Sequence, residues 1–256
     1  MEILLGFLIA LMIGLTGVGG GVLTVPVLVL YLGVPTATAV GTALSFSALV
    51  KLPACAVYVQ QRRVDGRVLR YMLAGGVPGV IAGSLFLSRL TGKGLEALVL
   101  TVVGLTIAVT AAINLARLWG DGGGRRPAAD RAHRLPWLTV PIGVEVGFSS
   151  AGAGALGTLI LLQFTVLAPA QVVGTDLVFG LVLSALGGGL HVGLGSWDAA
   201  LFAKLVAGGL PGALVGARLA TVLPARLLRS VLLVWLVYLG AQLLDRGLRA
   251  LALLPA

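Results

Sequence analysis

Charged residues are scarce in this chain, and their scarcity indicates its structural class. Only 11% of its 256 residues are charged, whereas about a quarter are charged in a typical soluble domain. The hydrophobic share is 58% and the mean hydropathy is +1.07. Apolar runs of about 20 residues, the length that crosses a bilayer, recur along the chain. The composition therefore predicts an all-α, polytopic integral membrane protein.

Cysteine and catalytic motifs are also scarce. The single cysteine, Cys55, excludes an internal disulfide and a multi-cysteine metal site, and we interpret it as a small packing residue. The chain has no H-E-x-x-H motif, no paired His or Cys ligand set and no defensible Ser-His-acid spacing. We therefore expect no enzymatic activity, no cofactor and no bound metal. The start, Met-Glu without a basic region, predicts a retained membrane segment.

Basic residues exceed acidic ones by nine, but their placement argues against a nucleic-acid partner. Most arginines fall around residues 60–70 and around the central linker. Loops that carry Lys and Arg stay on the cytoplasmic side of a membrane. We therefore predict a multi-pass protein of the cell membrane, plasma or inner, whose loops 60–66 and 119–135 are cytoplasmic.

The chain repeats itself at an offset of 133 residues. Residues 14–83 align without a gap on 147–216 and give 19 identities in 70 positions, among them glycines, a proline, a threonine and an aspartate that stay in register. We predict two transmembrane repeats, 1–118 and 136–256, joined by a polar linker at 119–135.

Each repeat contains five apolar segments, and the arginine bias of equivalent loops flips between the repeats. The segments are 3–16, 20–33, 36–59, 67–88 and 95–118, then 136–148, 153–166, 169–194, 199–220 and 225–245. The flipped bias predicts an inverted-topology repeat. The first two segments of each repeat are too short to span comfortably. They predict either re-entrant hairpins beside six full spans or up to ten short spans.

The two short-segment pairs meet at small-residue turns, which are candidate anion-binding tips. Such a turn before a helix exposes backbone N–H groups, and the helix dipole adds positive character. The alternative is that these residues only permit close helix packing. The predicted substrate-binding residues at the tips are Thr16, Gly17, Gly19, Gly20, Gly21, Ser149, Ser150, Gly152 and Gly154.

Further candidates lie within the longer segments. Thr42 and Thr175 form a repeated Gly-Thr pair, which either lines the substrate cavity or serves packing. Lys51 is an intramembrane cation that could attract the anion, pair with a carboxylate or snorkel. Asp176, Glu145 and His191 are candidates for coupling transport to a proton, and His191 could instead lie at the interface. None of these four charged or titratable residues is repeated in the other half.

The motifs resemble those of the sulfite exporter TauE/SafE family. The resemblance rests on ordered small-residue motifs in both halves: Thr16–Gly21 followed by Pro26, Gly33-Val34-Pro35, Ala39-Val40-Gly41-Thr42, Gly174-Thr175, and the pair Gly75–Gly79 and Gly208–Gly212. It covers nearly the whole chain except the linker and the ends. The resemblance implies a permease for sulfite, a sulfonate or a similar sulfur oxyanion, driven by an ion gradient.

The function that we expect is secondary transport of a small anion by alternating access, with the anion held between the tips near the midplane. An anion channel and a lipid-linked carrier or membrane scaffold are the alternatives. The expected partners are the anion, the lipid bilayer, a coupling proton or cation, and a second copy in a homodimer.

Overall fold

The computed structural model describes residues 1–16, 20–89, 93–119, 130–150, 155–219 and 225–252. These ranges contain helices and no strand, which confirms the all-α prediction. The ten α-helices are α1 Glu2–Thr16, α2 Gly20–Leu32, α3 Thr36–Gln60, α4 Gly66–Arg89, α5 Lys93–Trp119, α6 Leu135–Ser149, α7 Ala155–Phe164, α8 Pro169–Gly193, α9 Ala199–Leu219 and α10 Ala225–Ala252. A 3-10 turn, Ala132–Arg134, precedes α6.

The helices follow the ten predicted segments closely, with one difference at the C-terminal end. The prediction ended the last segment at residue 245, whereas α10 continues to Ala252. Its added turns carry two arginines, Arg246 and Arg249, and an ion pair joins Arg249 Nε to Asp245 Oδ2 at 2.9 Å. Pairs four residues apart stabilise an exposed helix, so the helix outlasts the apolar pattern from which it was predicted.

Helix length and composition support a membrane-spanning architecture. Among the described residues, α3, α4, α8 and the Ala199–Gly216 part of α9 are long and apolar enough to cross a bilayer. Helices α5 and α10 have 27 and 28 residues, or roughly 40 Å at 1.5 Å per residue. By contrast, α1, α2, α6 and α7 have 10 to 15 residues, about 15–22 Å, which is short of the hydrocarbon core.

Glycine stripes hold each half against the other, and the contacts recur at the offset of 133. On α4, Gly75, Gly79 and Gly83 lie directly under backbone carbonyls of α6, and on α9 their counterparts lie under carbonyls of α1. The paired contacts are Gly75–Pro136 and Gly208–Ile3, Gly79–Val140 and Gly212–Phe7, and Gly83–Val144 and Gly216–Leu11. A Cβ at any of these glycines would meet main chain. The repeated glycines therefore permit close approach of parallel helices.

Equivalent helices of the two halves run antiparallel. Helix α3 crosses α8 so that Gly41 lies at His191 while Gly174 lies at Tyr58. Helix α5 crosses α10 in the same sense, with Gly104 at Leu244 and Gly247 at Thr101. Antiparallel equivalents are what an inverted repeat requires. The repeat boundaries at residues 118 and 136 remain a prediction.

The second pair of short helices starts and ends at the same end of the molecule. Arg131 N, just before α6, donates to Phe164 O, the last residue of α7. In the first half, Glu2 at the start of α1 pairs with Lys204 of α9 at 2.7 Å, and Arg246 near the end of α10 donates to Val29 O of α2 at 3.3 Å. The contact between Arg131 and Phe164 agrees with a re-entrant second hairpin. The two predicted arrangements, six spans with two re-entrant hairpins or up to ten short spans, stay predictions.

The arginine-rich loop and the linker lie at one end, as the charge pattern predicts. Arg67, the residue directly after the 60–66 loop, pairs with Asp130 of the linker at 3.5 Å. Residues 67 and 130 thus lie at the same end of the molecule, which the positive-inside rule predicts to be the cytoplasmic end.

Candidate functional site

The two hairpins meet where Gly21, in the first turn of α2, lies against Ser150, which follows α6. A Cβ at Gly21 would overlap the carbonyl oxygen and the hydroxyl of Ser150. Ser150 is buried, and its Oγ has no hydrogen-bond partner among the described residues. A buried hydroxyl without a partner costs free energy, so this contact marks a position where a ligand could complete the bonding.

Local backbone geometry explains how Ser150 reaches Gly21. Ser150 has φ +61° and ψ +1°, in the left-handed region, and its N–H caps α6 by donating to Val146 O at 2.8 Å. A side chain other than glycine or asparagine is uncommon there. The residue thus ends α6 and turns its hydroxyl towards the first turn of α2.

The other predicted tip residues fare differently. Thr16 ends α1 and Gly20 begins α2. The Ser149 hydroxyl donates within its own helix to Glu145 O at 3.0 Å. Predicted residues Gly17, Gly19, Gly152 and Gly154 lie outside the described residues.

Asp176 on α8 reaches the first turn of α7. Its Oδ2 accepts a hydrogen bond from Thr158 Oγ1 at 2.6 Å, and a Cβ at Gly157 would overlap its Oδ1. Asp176 is buried, so the carboxylate lies inside the protein at the start of the second hairpin's return helix.

Lys51 is buried at the crossing of α3 and α8. Its amine donates to Ser184 Oγ at 3.1 Å and lies 3.5 Å from Gly180 O. Asp176 is near enough to attract this ammonium electrostatically. The side chain therefore points inward, and it does not snorkel to the cytoplasmic face.

Thr42 and Thr175 each bind the loop of the other half. Thr175 Oγ1 accepts from Asp65 N at 3.0 Å, and Thr42 Oγ1 accepts from Asp198 N at 3.4 Å. Asp65 and Asp198 in turn cap α4 and α9, because their Oδ1 atoms accept N–H groups of the first turn. The repeated Gly-Thr pair is thus an anchor for the opposite loop, with Gly41 under Ser196 O and Gly174 under Arg63 O.

Glu145 and His191 occupy the region around α6. Glu145 is half-buried, and its Oε1 is buried without a partner among the described residues. The His191 ring is fully buried, with Nε2 3.3 Å from Gly147 O of α6 and no described partner for Nδ1. His191 therefore lies inside the helix bundle, away from the interface position considered from sequence.

The structure brings Gly21 and Ser150 together, places Asp176 beside the second hairpin and places Lys51 at the helix crossing. Sequence reasoning missed Thr158 and Ser184. The repeat could have predicted Ser184, because Ser184 is the counterpart of Lys51 at the offset of 133. Equivalent helices that cross antiparallel bring such counterparts together near the crossing. In the described part of the chain, no three His, Cys, Asp or Glu residues group to hold a metal.

Comparison with known proteins agrees with this architecture. The family model described as Sulfite exporter TauE/SafE matches residues 2–243. The chain is 29% identical over 253 residues to the probable membrane transporter protein YjnA of Bacillus subtilis, covering 94% of this chain and 98% of that protein. It is 26% identical over 237 residues to the probable membrane transporter protein YdhB of the same organism, covering 90% and 94%. No solved structure matches the chain.

These matches span almost the whole chain, from the first hairpin to the last long helix. The helices are apolar enough to cross a membrane several times, as a multi-pass transporter of the cell membrane requires. The chain belongs to the sulfite exporter TauE/SafE family.

Proposed function

We propose that the protein is a secondary transporter that moves a small sulfur oxyanion, such as sulfite or an organosulfonate, by alternating access. The observation that carries this proposal is the contact between Gly21 and Ser150, where the first turn of α2 meets the end of α6. The anion binds beside this contact.

The chemistry of the contact suits an oxyanion that must bind and then leave. Helix α2 begins at Gly20, and the first N–H groups of a helix have no partner within it. The helix dipole makes that end partly positive. The buried Ser150 hydroxyl adds a donor. Neutral donors hold an anion without the strong attraction that a directly paired cation would add.

The arrangement of the halves supports alternating access. Loop anchors recur at opposite ends of the molecule, Thr175 with Asp65 at one and Thr42 with Asp198 at the other. An inverted pair of units can exchange conformations so that a central site opens to either side in turn.

An ion gradient drives the cycle, and the coupling residue comes from Asp176, Glu145 and His191. Glu145 fits a proton carrier best, because the structure shows no group that holds its Oε1 in place. Asp176, in contrast, is bonded to Thr158.

Uptake by purified protein in liposomes tests the proposal. We expect radiolabelled sulfite to accumulate above its external concentration, with competition by sulfoacetate or taurine exceeding that by acetate. Gly21→Leu should abolish uptake, because its side chain would overlap Ser150. The matched control is Gly189→Leu, because Gly189 is exposed on α8 with open space around it.

Sulfite currents through single molecules without accumulation would indicate a channel. Absence of flux for every anion would indicate a lipid-linked carrier or scaffold.

A further inference from the structure

The return helices of the two hairpins differ in charge. The Asp176 carboxylate lies against Gly157 and Thr158, the third and fourth residues of α7. At the offset of 133, the counterparts of Gly157 and Asp176 are Thr24 and Ala43, both fully buried. A carboxylate on α8 over a glycine in α7 is thus replaced by alanine on α3 and threonine in α2. Only the second half carries a negative charge at this place.

A negative charge belongs at the start of a helix for a physical reason. The first N–H groups of α7 point away from the rest of the helix, and the dipole favours an anion there. Asp176 supplies that anion from within the protein, and the Thr158 hydroxyl donates to it at 2.6 Å. A short hydrogen bond to a carboxylate is of the strong, charge-assisted kind.

In the first half, Ala43 occupies the position that corresponds to Asp176, and the start of α2 lies against the hydroxyl donor of Ser150 instead. The hydroxyl of Ser150 is buried against Gly21 and lacks a partner among the described residues. The start of α7 is therefore occupied by the Asp176 carboxylate, whereas the start of α2 lies beside the Ser150 hydroxyl, which has no described partner.

We propose that Asp176 is a built-in anion that occupies the α7 site throughout the cycle, so that the transported anion binds only at the start of α2, against Ser150. The α2 assignment rests on the proposed function, whereas the role of Asp176 does not. The two hairpins then differ in role: the start of α2 binds the substrate, and the start of α7 binds the carboxylate of Asp176. Lys51 is close enough to Asp176 for the two side chains to attract one another electrostatically.

Chemical rescue tests the built-in anion independently of transport. Asp176→Ala removes the carboxylate and leaves space for formate, as does Asp176→Ser, whose hydroxyl can still meet Thr158. We expect both variants to unfold at a lower temperature than the parent protein in formate-free buffer. Saturating formate should raise their melting temperature by roughly 5 °C, as a ligand bound only to the folded state does, and should leave the parent protein unchanged.

Glu145→Ala is the matched control, because it also removes an intramembrane carboxylate. Glu145 lies in the last turns of α6, where the dipole disfavours an anion, so formate should not stabilise this variant. Recovery of the Asp176 variants only when formate is present also supports the proposal. It is overturned if formate stabilises neither variant, stabilises Glu145→Ala equally, or fails to recover variants that do not fold without it.

A binding measurement separates this inference from the proposed function. Equilibrium dialysis with radiolabelled sulfite should give one bound anion per parent chain and two per Asp176→Ala chain. A second anion on the variant supports the built-in anion, and a single anion on both overturns it. If the parent protein binds no sulfite, the proposed function fails, and formate rescue still decides the role of Asp176.

Discussion

The amine of Lys51 donates to the hydroxyl of Ser184 at 3.1 Å, and Ser184 occupies the position of Lys51 in the second half of the chain. The two helices that carry them, α3 and α8, are antiparallel equivalents, so residues near their crossing face their own counterparts. The crossing is one of the places where the two halves of the chain contact one another. The buried ammonium of Lys51 is attracted to Asp176, and its hydrogen bond to Ser184 joins α3 to α8.

Replacing Lys51 by methionine should weaken sulfite transport. The substitution keeps the length and removes the charge, and hydrogen bonds to charged groups contribute about 1.5–3 kcal/mol. We expect the KM for sulfite in liposomes to rise about tenfold, which corresponds to about 1.4 kcal/mol. Lys204→Met is the control, because Lys204 pairs with Glu2 at the opposite end of α9 from the tips and should leave KM unchanged. Equal KM values for both variants would show that the charge of Lys51 at the α3–α8 crossing does not influence sulfite binding.

Replacing Ser150 separates its backbone role from its hydroxyl. Ser150→Gly suits φ +61°, whereas Ser150→Ala keeps a conformation that costs an L-residue roughly 1 kcal/mol. Both remove the hydroxyl, so both should lower sulfite affinity about tenfold. The alanine variant should also unfold at a lower temperature than the glycine variant. Unchanged sulfite affinity in dialysis for both variants would remove Ser150 from the site.

Thr175→Val should loosen the loop that precedes α4. The substitution keeps the shape and leaves Asp65 N without its acceptor, which costs about 1–3 kcal/mol for a buried group. Hydrogen exchange of the Asp65 amide should accelerate about tenfold. Thr106→Val is the control, because the Thr106 hydroxyl donates to Val103 O within its own helix. Equal protection of Asp65 in the parent and in Thr175→Val would show that the anchor contributes nothing.

Gly83→Ala should lower stability without touching the tips. A Cβ on Gly83 would overlap Val144 O of the parallel helix α6, and overpacking of this kind costs typically 1–3 kcal/mol. We expect a lower melting temperature in detergent for Gly83→Ala than for Gly189→Ala, which adds the same methyl where nothing lies within 4 Å. Equal melting temperatures would show that α4 and α6 separate at little cost.

Coupling should depend on Glu145. We expect Glu145→Gln to lose the stimulation of sulfite uptake by a proton gradient, because an amide cannot take up and release the proton. Asp176→Asn should lower uptake and retain the stimulation, since a built-in anion need not change its proton. Uptake by reconstituted protein with and without the gradient measures both. Loss of stimulation in Asp176→Asn alone would assign coupling to Asp176 and overturn its role as a built-in anion.

Much of the fold could be predicted from sequence because hydrophobic length and small-residue punctuation are local signals. The ten helices lie close to the ten predicted segments, since each apolar run must satisfy its backbone within itself in a membrane. The repeat offset also predicted which glycines are equivalent. It could not show that Gly75 and Gly208 approach main-chain carbonyls of the other half, because that approach depends on how the halves interlock.

The candidate site was only partly predictable. Gly21 and Ser150 belonged to separate predicted tips, and no sequence pattern predicts that these two residues are in contact. Thr42 and Thr175 were predicted from repetition alone, which does not distinguish a cavity from a loop anchor. Thr158 gave no signal, because a lone threonine in an apolar helix most often bonds its own backbone.

By itself, the sequence determined that this is a helical membrane protein of two similar, inverted halves, because hydropathy, glycine spacing and arginine placement are written along the chain. Only the tertiary structure decided that Gly21 lies against Ser150, that Lys51 meets its own counterpart, and that Asp176 sits at the start of α7. Those facts join residues from 18 to more than 100 positions apart. They arise from antiparallel packing of equivalent helices, which no local pattern can specify.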